Sequence, residues 1–237
     1  MGSSERWRMR RFAGNFGMMP LRVKICCMAS ADEARAAIRL GATAIGLVSR
    51  MPSGPGPIEE ELIARIVSAV PPTIETFLLT CETTVASIAA QRRRTGASTL
   101  QLVDKVEAGA HRALRAELPD VRIVQVVHVT GDESVDEALA IAEEVDALLL
   151  DSGNPNLAVK ELGGTGRRHD WAISRRIVEA STVPVYLAGG LNASNVREAI
   201  DTVRPFGVDV CSGVRTDGRL DEAKLAAFMR RASMTEG

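Results

Sequence analysis

Two side chains capable of acid-base chemistry stand where apolar runs end: Cys26 closes VKIC, and Asp151 closes DALLLD directly after three leucines. A carboxyl desolvated by such surroundings keeps its proton toward neutral pH and can serve as a general acid. A thiol near a bound anion can abstract or donate a proton. The competing readings are an Asp that caps the following loop and cysteines that pack as small hydrophobes, the role expected for Cys81 and Cys211. Side chains alternate along a strand, so if Cys26 faces inward, Cys27 faces elsewhere or belongs to the loop, and only one of the pair is expected to be catalytic.

Three glycine-bearing segments follow the last three apolar runs: LGGTGRRHDW, LAGGLNASNV and CSGVRTDG. Gly163, Gly164 and Gly166, the pair Gly189 and Gly190, and Gly213 let backbone amides approach an anion ahead of helical turns, where unpaired amides and the helix dipole both favour negative charge. One such pair alone would only turn the chain; three clusters at consecutive run ends point to phosphate. His128 ends VQVVH and either lines the same region, binding substrate or tuning Cys26, or packs as an ordinary histidine. His111 and His169 read as helix-surface or helix-start residues, and the charge runs QRRRTG and SRRIVE as solvated helix faces.

The elements that must position these groups are regular. From residue 21 onward, eight short apolar runs (VKIC, TAIGLV, TIETFLLT, STLQLV, VRIVQVV, DALLLD, VPVYLA, GVDVCS) each precede an amphipathic stretch of helical length. Eight strand-helix units at this length predict a single (β/α)8 TIM barrel over residues 21–233, eight parallel strands inside eight outer helices, with residues 1–20 a flexible N-terminal extension. That extension is basic and Met-rich, and Met18 or Met19 is an alternative natural start. Chemistry in such barrels sits at the carboxyl ends of the strands. The shortlist there is Cys26, Cys27, Ser49, Arg50, Thr80, Cys81, Val103, Asp104, His128, Asp151, Gly189, Gly190, Ser212 and Gly213.

Composition agrees. The 237 residues are 46% hydrophobic but only 3% aromatic, an aliphatic balance suited to buried parallel strands. A formal net charge of −1 with interspersed signs offers no field for nucleic acid or a membrane surface, so a small-molecule ligand is expected. Four cysteines, two adjacent and two isolated, form neither a secreted disulfide framework nor paired zinc ligands, which predicts a reduced, cytoplasmic protein. The first 20 residues lack the apolar run of a signal peptide or membrane anchor.

With VKIC, LLLDS, GGTGRRHDW, LAGGLNASNV and VDVCSGV in this order, the chain resembles the phosphoribosylanthranilate isomerases from about residue 22 to residue 229. The resemblance implies a cytoplasmic enzyme of tryptophan biosynthesis, monomer or homodimer, without metal or organic cofactor. The implied reaction is the Amadori rearrangement of a phosphorylated sugar-amine. Cys26 stands at the family's general-base position and Asp151 at its general-acid position, while Gly164, Gly166, Gly189, Gly190, Ser212 and Gly213 would hold the substrate phosphate. The Asp170–Trp171 pair fits the opening of the sixth helix.

The chain also departs from the family. KICG is KICC here, so Cys27 replaces a glycine. The loop after the second strand reads SRMPSGPGPIEE with Arg50 displaced, Val103 and Asp104 stand where His and Gly are usual, and Arg215 replaces an acidic residue. A substrate carboxylate would then need Arg50 or another cation. Three rival readings follow: an isomerase of a different phosphorylated amino sugar, a cysteine-nucleophile enzyme pairing Cys26 with His128, and a non-catalytic barrel that binds phosphorylated ligands.

Overall fold

The computed structural model describes residues 20–153 and 168–234. Within them eight parallel strands close into one barrel: β1 (Arg22–Ile25), β2 (Ala44–Val48), β3 (Glu75–Thr80), β4 (Thr99–Leu102), β5 (Arg122–His128), β6 (Ala147–Asp151), β7 (Val185–Leu187) and β8 (Gly207–Val210). The ring closes where β1 pairs with β8 in the register Lys24↔Asp209 and Ile25↔Val210. The expected barrel is therefore the observed one.

Each strand is followed by its helix: α1 (Ala31–Arg39), α2 (Glu60–Ala69), α3 (Val85–Thr95), α4 (Ala110–Glu117), α5 (Glu133–Ala142), α6 (Trp171–Ala180), α7 (Val196–Val203) and α8 (Glu222–Ser233). Helix starts carry the expected chemistry. Ser30 accepts from the Glu33 amide at the head of α1, and Asp170 accepts from the Ala172 amide at the head of α6, so Asp170 and Trp171 do open the sixth helix. The basic runs lie on helix surfaces, in pairs such as Arg94 with Glu60 and Arg175 with Glu179. One element was not anticipated, a short hairpin after β8 formed by β9 (Arg215–Thr216) and β10 (Arg219–Leu220). Its signal was present in the sequence as Asp217–Gly218, both at positive φ, the commonest tight hairpin turn.

Period-two alternation splits the apolar residues in two. One set, including Ile25, Leu47, Leu78, Leu100, Leu148 and Val208, is buried between strands and helices. The other, including Val48, Phe77, Leu79, Val124, Leu149 and Tyr186, fills the barrel interior. At the amino ends of the strands that interior is sealed by Glu75, which meets Arg22 at 3.3 Å and Arg122 at 2.9 Å, and by Tyr186 packed edge-on against Phe77 and Phe206. Among the described residues, a pocket opens at the opposite end, where the shortlisted residues stand.

Candidate active site

Cys26 follows β1 and faces inward on the same side as Lys24, two residues earlier. Its amide continues the ladder by donating to the Val210 carbonyl at 2.8 Å. Space for its sulfur comes from the neighbouring strand. A Cβ on Gly46 of β2 would stand 2.7 Å from Cys26 Sγ and 3.0 Å from Lys24 Nζ, so only glycine lets the thiol and the ammonium occupy this corner. Lys24 is 0% exposed, and its Nζ donates to Asp209 Oδ2 of β8 at 2.8 Å. Burial opposes the charge on Lys24, yet Asp209 and the two adjoining thiols hold its proton and raise its pKa. Burial pushes the Asp209 carboxyl up, with Lys24 working against that shift.

These neighbours bias Cys26 toward thiolate. The adjoining Cys27 thiol is the largest influence, burial opposes, and Lys24 assists, leaving Cys26 below the ordinary thiol range. Cys27 moves the opposite way, pushed up by its contacts with Cys211 and Cys26 and by burial. Asp151, at the end of β6, is the complementary case. Burial pushes its carboxyl up, against the Ser152 amide that donates to it at 2.7 Å and the charge of nearby His128. The arrangement thus offers a thiol disposed to lose its proton and a carboxyl disposed to keep one, both lining the same pocket.

The third ingredient is an amide-rich wall. Gly189 and Gly190 follow β7 at φ 85 and 63, a left-handed path open to glycine at little cost, and they line the pocket. Their loop is fixed by Asn195, whose Nδ2 donates to the Gly190 carbonyl at 2.9 Å and whose Oδ1 accepts from the Asn192 amide at 2.9 Å. After β8, Ser212–Val214 forms a single helical turn with Ser212 on the pocket wall. A Cβ on Gly213 would collide with the Leu191 carbonyl, so the seventh and eighth loops approach as closely as they do only because this residue is glycine. Gly164 and Gly166 lie outside the described residues.

Several expectations change in detail. His128 is paired in register with Asp151, and its Nε2 contacts the Val103 carbonyl at 3.1 Å. It therefore neighbours the carboxyl, and Cys26 is tuned instead by Cys27 and Lys24. Arg50 is exposed and does not line the pocket; the wall on that side is Met51, Ser53, Gly54, Pro55, Val48, Leu79 and Val103. Among the described lining residues the charged side chains are Asp151 and Asp209. Cys211, expected to be structural, faces the pocket with its sulfur 2.7 Å from that of Cys27. The reason is strand phase: Cys211 is two residues beyond Asp209 and shares its inward side. Cys27 does belong to the loop, as alternation required, at φ 63 where the family glycine would be unstrained. His169 is largely buried, bonded to Ser174 Oγ at 2.7 Å, and burial lowers its pKa to about 4. His111 reaches inward, with Nε2 2.9 Å from Gln125 Oε1.

Arg215 explains its own departure from the family pattern. Its guanidinium donates to the Cys27 carbonyl, to the Cys26 carbonyl at 3.2 Å and to Glu33 Oε2 at 3.2 Å. Glu33 in turn accepts from the Ala29 and Leu220 amides, both at 3.0 Å. An acid at residue 215 would face those carbonyls with no proton to donate. A cation there holds the loop that carries both thiols.

Lys24, Gly46 and Asp209 were missed by sequence reasoning. The signal was available in part, since Lys24 and Asp209 are charges inside otherwise apolar runs, in phase with Cys26 and with the pocket side of β8.

Comparison with known proteins agrees with this geometry. A sequence profile described as N-(5'phosphoribosyl)anthranilate (PRA) isomerase matches residues 23–231. The chain is 36% identical over 214 residues to N-(5'-phosphoribosyl)anthranilate isomerase 2 of Methanosarcina mazei, covering 90% of this chain and 94% of that one. Among solved structures, phosphoribosyl anthranilate isomerase from Thermotoga maritima superposes with a TM-score of 0.77 at 30% identity, covering 90% of this chain and 98% of that one. A phosphoribosyl anthranilate isomerase in complex with reduced 1-(o-carboxyphenylamino)-1-deoxyribulose 5-phosphate superposes at 0.75 with 27% identity, covering 90% and 98%. A barrel whose β1 and β6 ends bring a thiol and a carboxyl to one glycine-walled pocket, matched over this length, belongs to the N-(5'-phosphoribosyl)anthranilate isomerase family.

Proposed function

We propose that this chain isomerises N-(5-phosphoribosyl)anthranilate, converting the aminoaldose to its 1-deoxyribulose counterpart. The observation that carries the reading is the pairing of opposite protonation tendencies in one pocket, Cys26 toward thiolate and Asp151 toward its acid form. Asp151 delivers a proton to the furanose oxygen as the ring opens to a Schiff base. The Cys26 thiolate then removes the proton from the second sugar carbon to give the enolamine, which becomes the ketone product. Gly189, Gly190, Ser212 and Gly213 take the phosphate, with Gly164 and Gly166 as further ligands, and phosphate binding orients the sugar between base and acid. A related enzyme binds reduced 1-(o-carboxyphenylamino)-1-deoxyribulose 5-phosphate, which supports a phosphorylated carboxyphenylamino sugar as the substrate class. Arg50, on the loop that supplies Met51, Ser53, Gly54 and Pro55 to the wall, is our candidate partner for the substrate's ring carboxylate, and His128 supports Asp151. The protein acts without cofactor, as a monomer or homodimer in the cytoplasm; no helix among the described residues is long and apolar enough to cross a membrane.

The test is fluorimetric. Phosphoribosylanthranilate generated in place loses its anthranilate-type emission when isomerised, and we expect a decay proportional to added protein. No protein-dependent decay beside an active control enzyme would overturn the reading. One observation favours a second substrate: the wall opposite the phosphate side has no charged side chain among the described lining residues, where the family pattern has Arg and His. An isomerase of another phosphorylated amino sugar would turn over that substrate faster than phosphoribosylanthranilate in direct competition.

A further inference from the structure

Three thiols converge at one corner of the pocket, and only Cys26 is used by the proposed reaction. The sulfurs of Cys27 and Cys211, 184 positions apart in sequence, lie 2.7 Å apart. That is within about 0.7 Å of the roughly 2.05 Å length of a sulfur-sulfur bond. Cys27 is held in this position from several sides. Its backbone takes a left-handed φ of 63, Arg215 grips its carbonyl and that of Cys26, and its thiol also contacts the Pro55 carbonyl at 3.6 Å. Gly56 leaves it room, since a Cβ there would come within 2.6 Å of Cys27 Cβ and 3.0 Å of its sulfur. Cys27 is buried, whereas Cys211 is partly exposed on the pocket wall where a small molecule reaches it.

We propose that Cys27 and Cys211 are a redox modification site, closed to a reversible disulfide by a low-molecular-weight disulfide of the glutathione class, and that closing it ties the residue next to Cys26 to the end of β8 at the corner of the pocket. In the first step the Cys211 thiolate attacks one sulfur of the small disulfide RSSR, forming a mixed disulfide and expelling RS⁻. In the second, the Cys27 thiolate attacks the Cys211 sulfur, forming the Cys27–Cys211 bond and expelling the other RS⁻. The two thiol protons leave on two molecules of RSH; the protein pair gives up two electrons and RSSR takes them. Once bonded to Cys211, the Cys27 sulfur has no S–H to offer. Cys26 then keeps Lys24 as its neighbour but loses its largest thiolate-stabilising contact, so less of it is ionised at a given pH. Transient, regulatory disulfides of this kind suit a protein working among reduced thiols.

The test uses the full chain equilibrated with oxidised glutathione, quenched in acid, alkylated and digested without reduction. We expect a cross-link between the peptides carrying residues 27 and 211, reversed by dithiothreitol, retained in Cys26→Ser and absent from Cys211→Ser and Cys27→Gly. The last variant suits the left-handed backbone, so its folding is not at risk. A glutathione adduct that stops on Cys211, a Cys26–Cys27 bond, or no bond at all would each overturn the proposal. A second readout is the rate at which iodoacetamide labels Cys26. Labelling on the acid side is expected to be severalfold slower in the oxidised protein, because less of Cys26 is thiolate there. Equal labelling of both forms would refute the coupling to Cys26. Neither readout needs turnover, so the outcome stands whichever substrate the pocket takes.

Discussion

The two sides of the barrel mouth are built on different principles. Around β1, β6, β7 and β8, polar groups are fixed by specific partners: Lys24 by Asp209, Asp151 by the Ser152 amide, and the Gly189–Gly190 loop by Asn195. Around β2, β3 and β4, the wall is mostly apolar (Val48, Met51, Pro55, Leu79 and Val103) with Ser53 and Gln101 as uncharged polar groups and no charged side chain among the described lining residues. Reaction chemistry needs groups held to within fractions of an ångström. An apolar wall tolerates side-chain exchange of similar volume at small cost. The contrast gives a physical reason why the Cys26, Asp151 and glycine motifs resemble the family's while the loop after β2 and the end of β4 depart from its pattern.

That contrast can be broken by mutation, and the largest effects belong on the polar side. Cys26→Ala and Asp151→Asn are each expected to lower kcat by roughly 10²–10⁴-fold while a phosphorylated product analogue binds about as before, measurable by the fluorescence decay and by calorimetry. If either variant keeps more than a tenth of the activity, that residue is not the proton carrier. Next in size, Gly213→Ala drives a methyl into the Leu191 carbonyl. It is expected to weaken phosphate-side binding by one to two orders of magnitude, about 1.4–2.8 kcal/mol, visible as a raised KM.

The pH profile sharpens the same side. Cys26 works ionised and Asp151 works protonated, so the rate follows a bell whose two limbs are set by these two groups. In Cys27→Gly the limb set by Cys26 is expected to move to higher pH, since the neighbour that favours its thiolate is gone; unmoved limbs would assign that tuning to Lys24 alone. The smallest effects belong on the apolar side. Val103→Ala and Arg50→Ala are expected to change KM within about tenfold, or 1.4 kcal/mol, and to leave kcat unchanged in stopped-flow traces. A hundredfold loss from Arg50→Ala would instead place that cation on the substrate's ring carboxylate as a principal anchor.

The barrel was legible because its signal is local: period-two apolar runs and amphipathic helices repeat in every unit, and the hydrophobic pattern alone sets which face is inward. Cys26 and Asp151 were legible for the same reason, as reactive side chains at the ends of such runs. Lys24 and Asp209 were harder to see because their pairing exists only when β1 meets β8, 185 residues later in the chain. Gly46 is a residue whose meaning lies in what a neighbouring strand places beside it. Cys211 stands on the pocket wall because the alternation of β8 continues past Val210, a phase that the run GVDVCS alone does not mark. Arg215 looked like a departure in one dimension and is a replacement in three, since Glu33 and two carbonyls were waiting for a cation.

The clip formed by Arg215 sets an order of events during synthesis. The loop that carries Cys26 and Cys27 is among the first parts of the barrel to be made, yet the guanidinium that fastens it stands 188 and 189 positions later. Until β8 and the hairpin behind it have emerged and folded, neither the ladder partner of Cys26 nor this clip exists. A ribosome-bound fragment therefore lacks both the clip and the β8 ladder bond that position this thiol, and they form only when the final segment of the barrel docks.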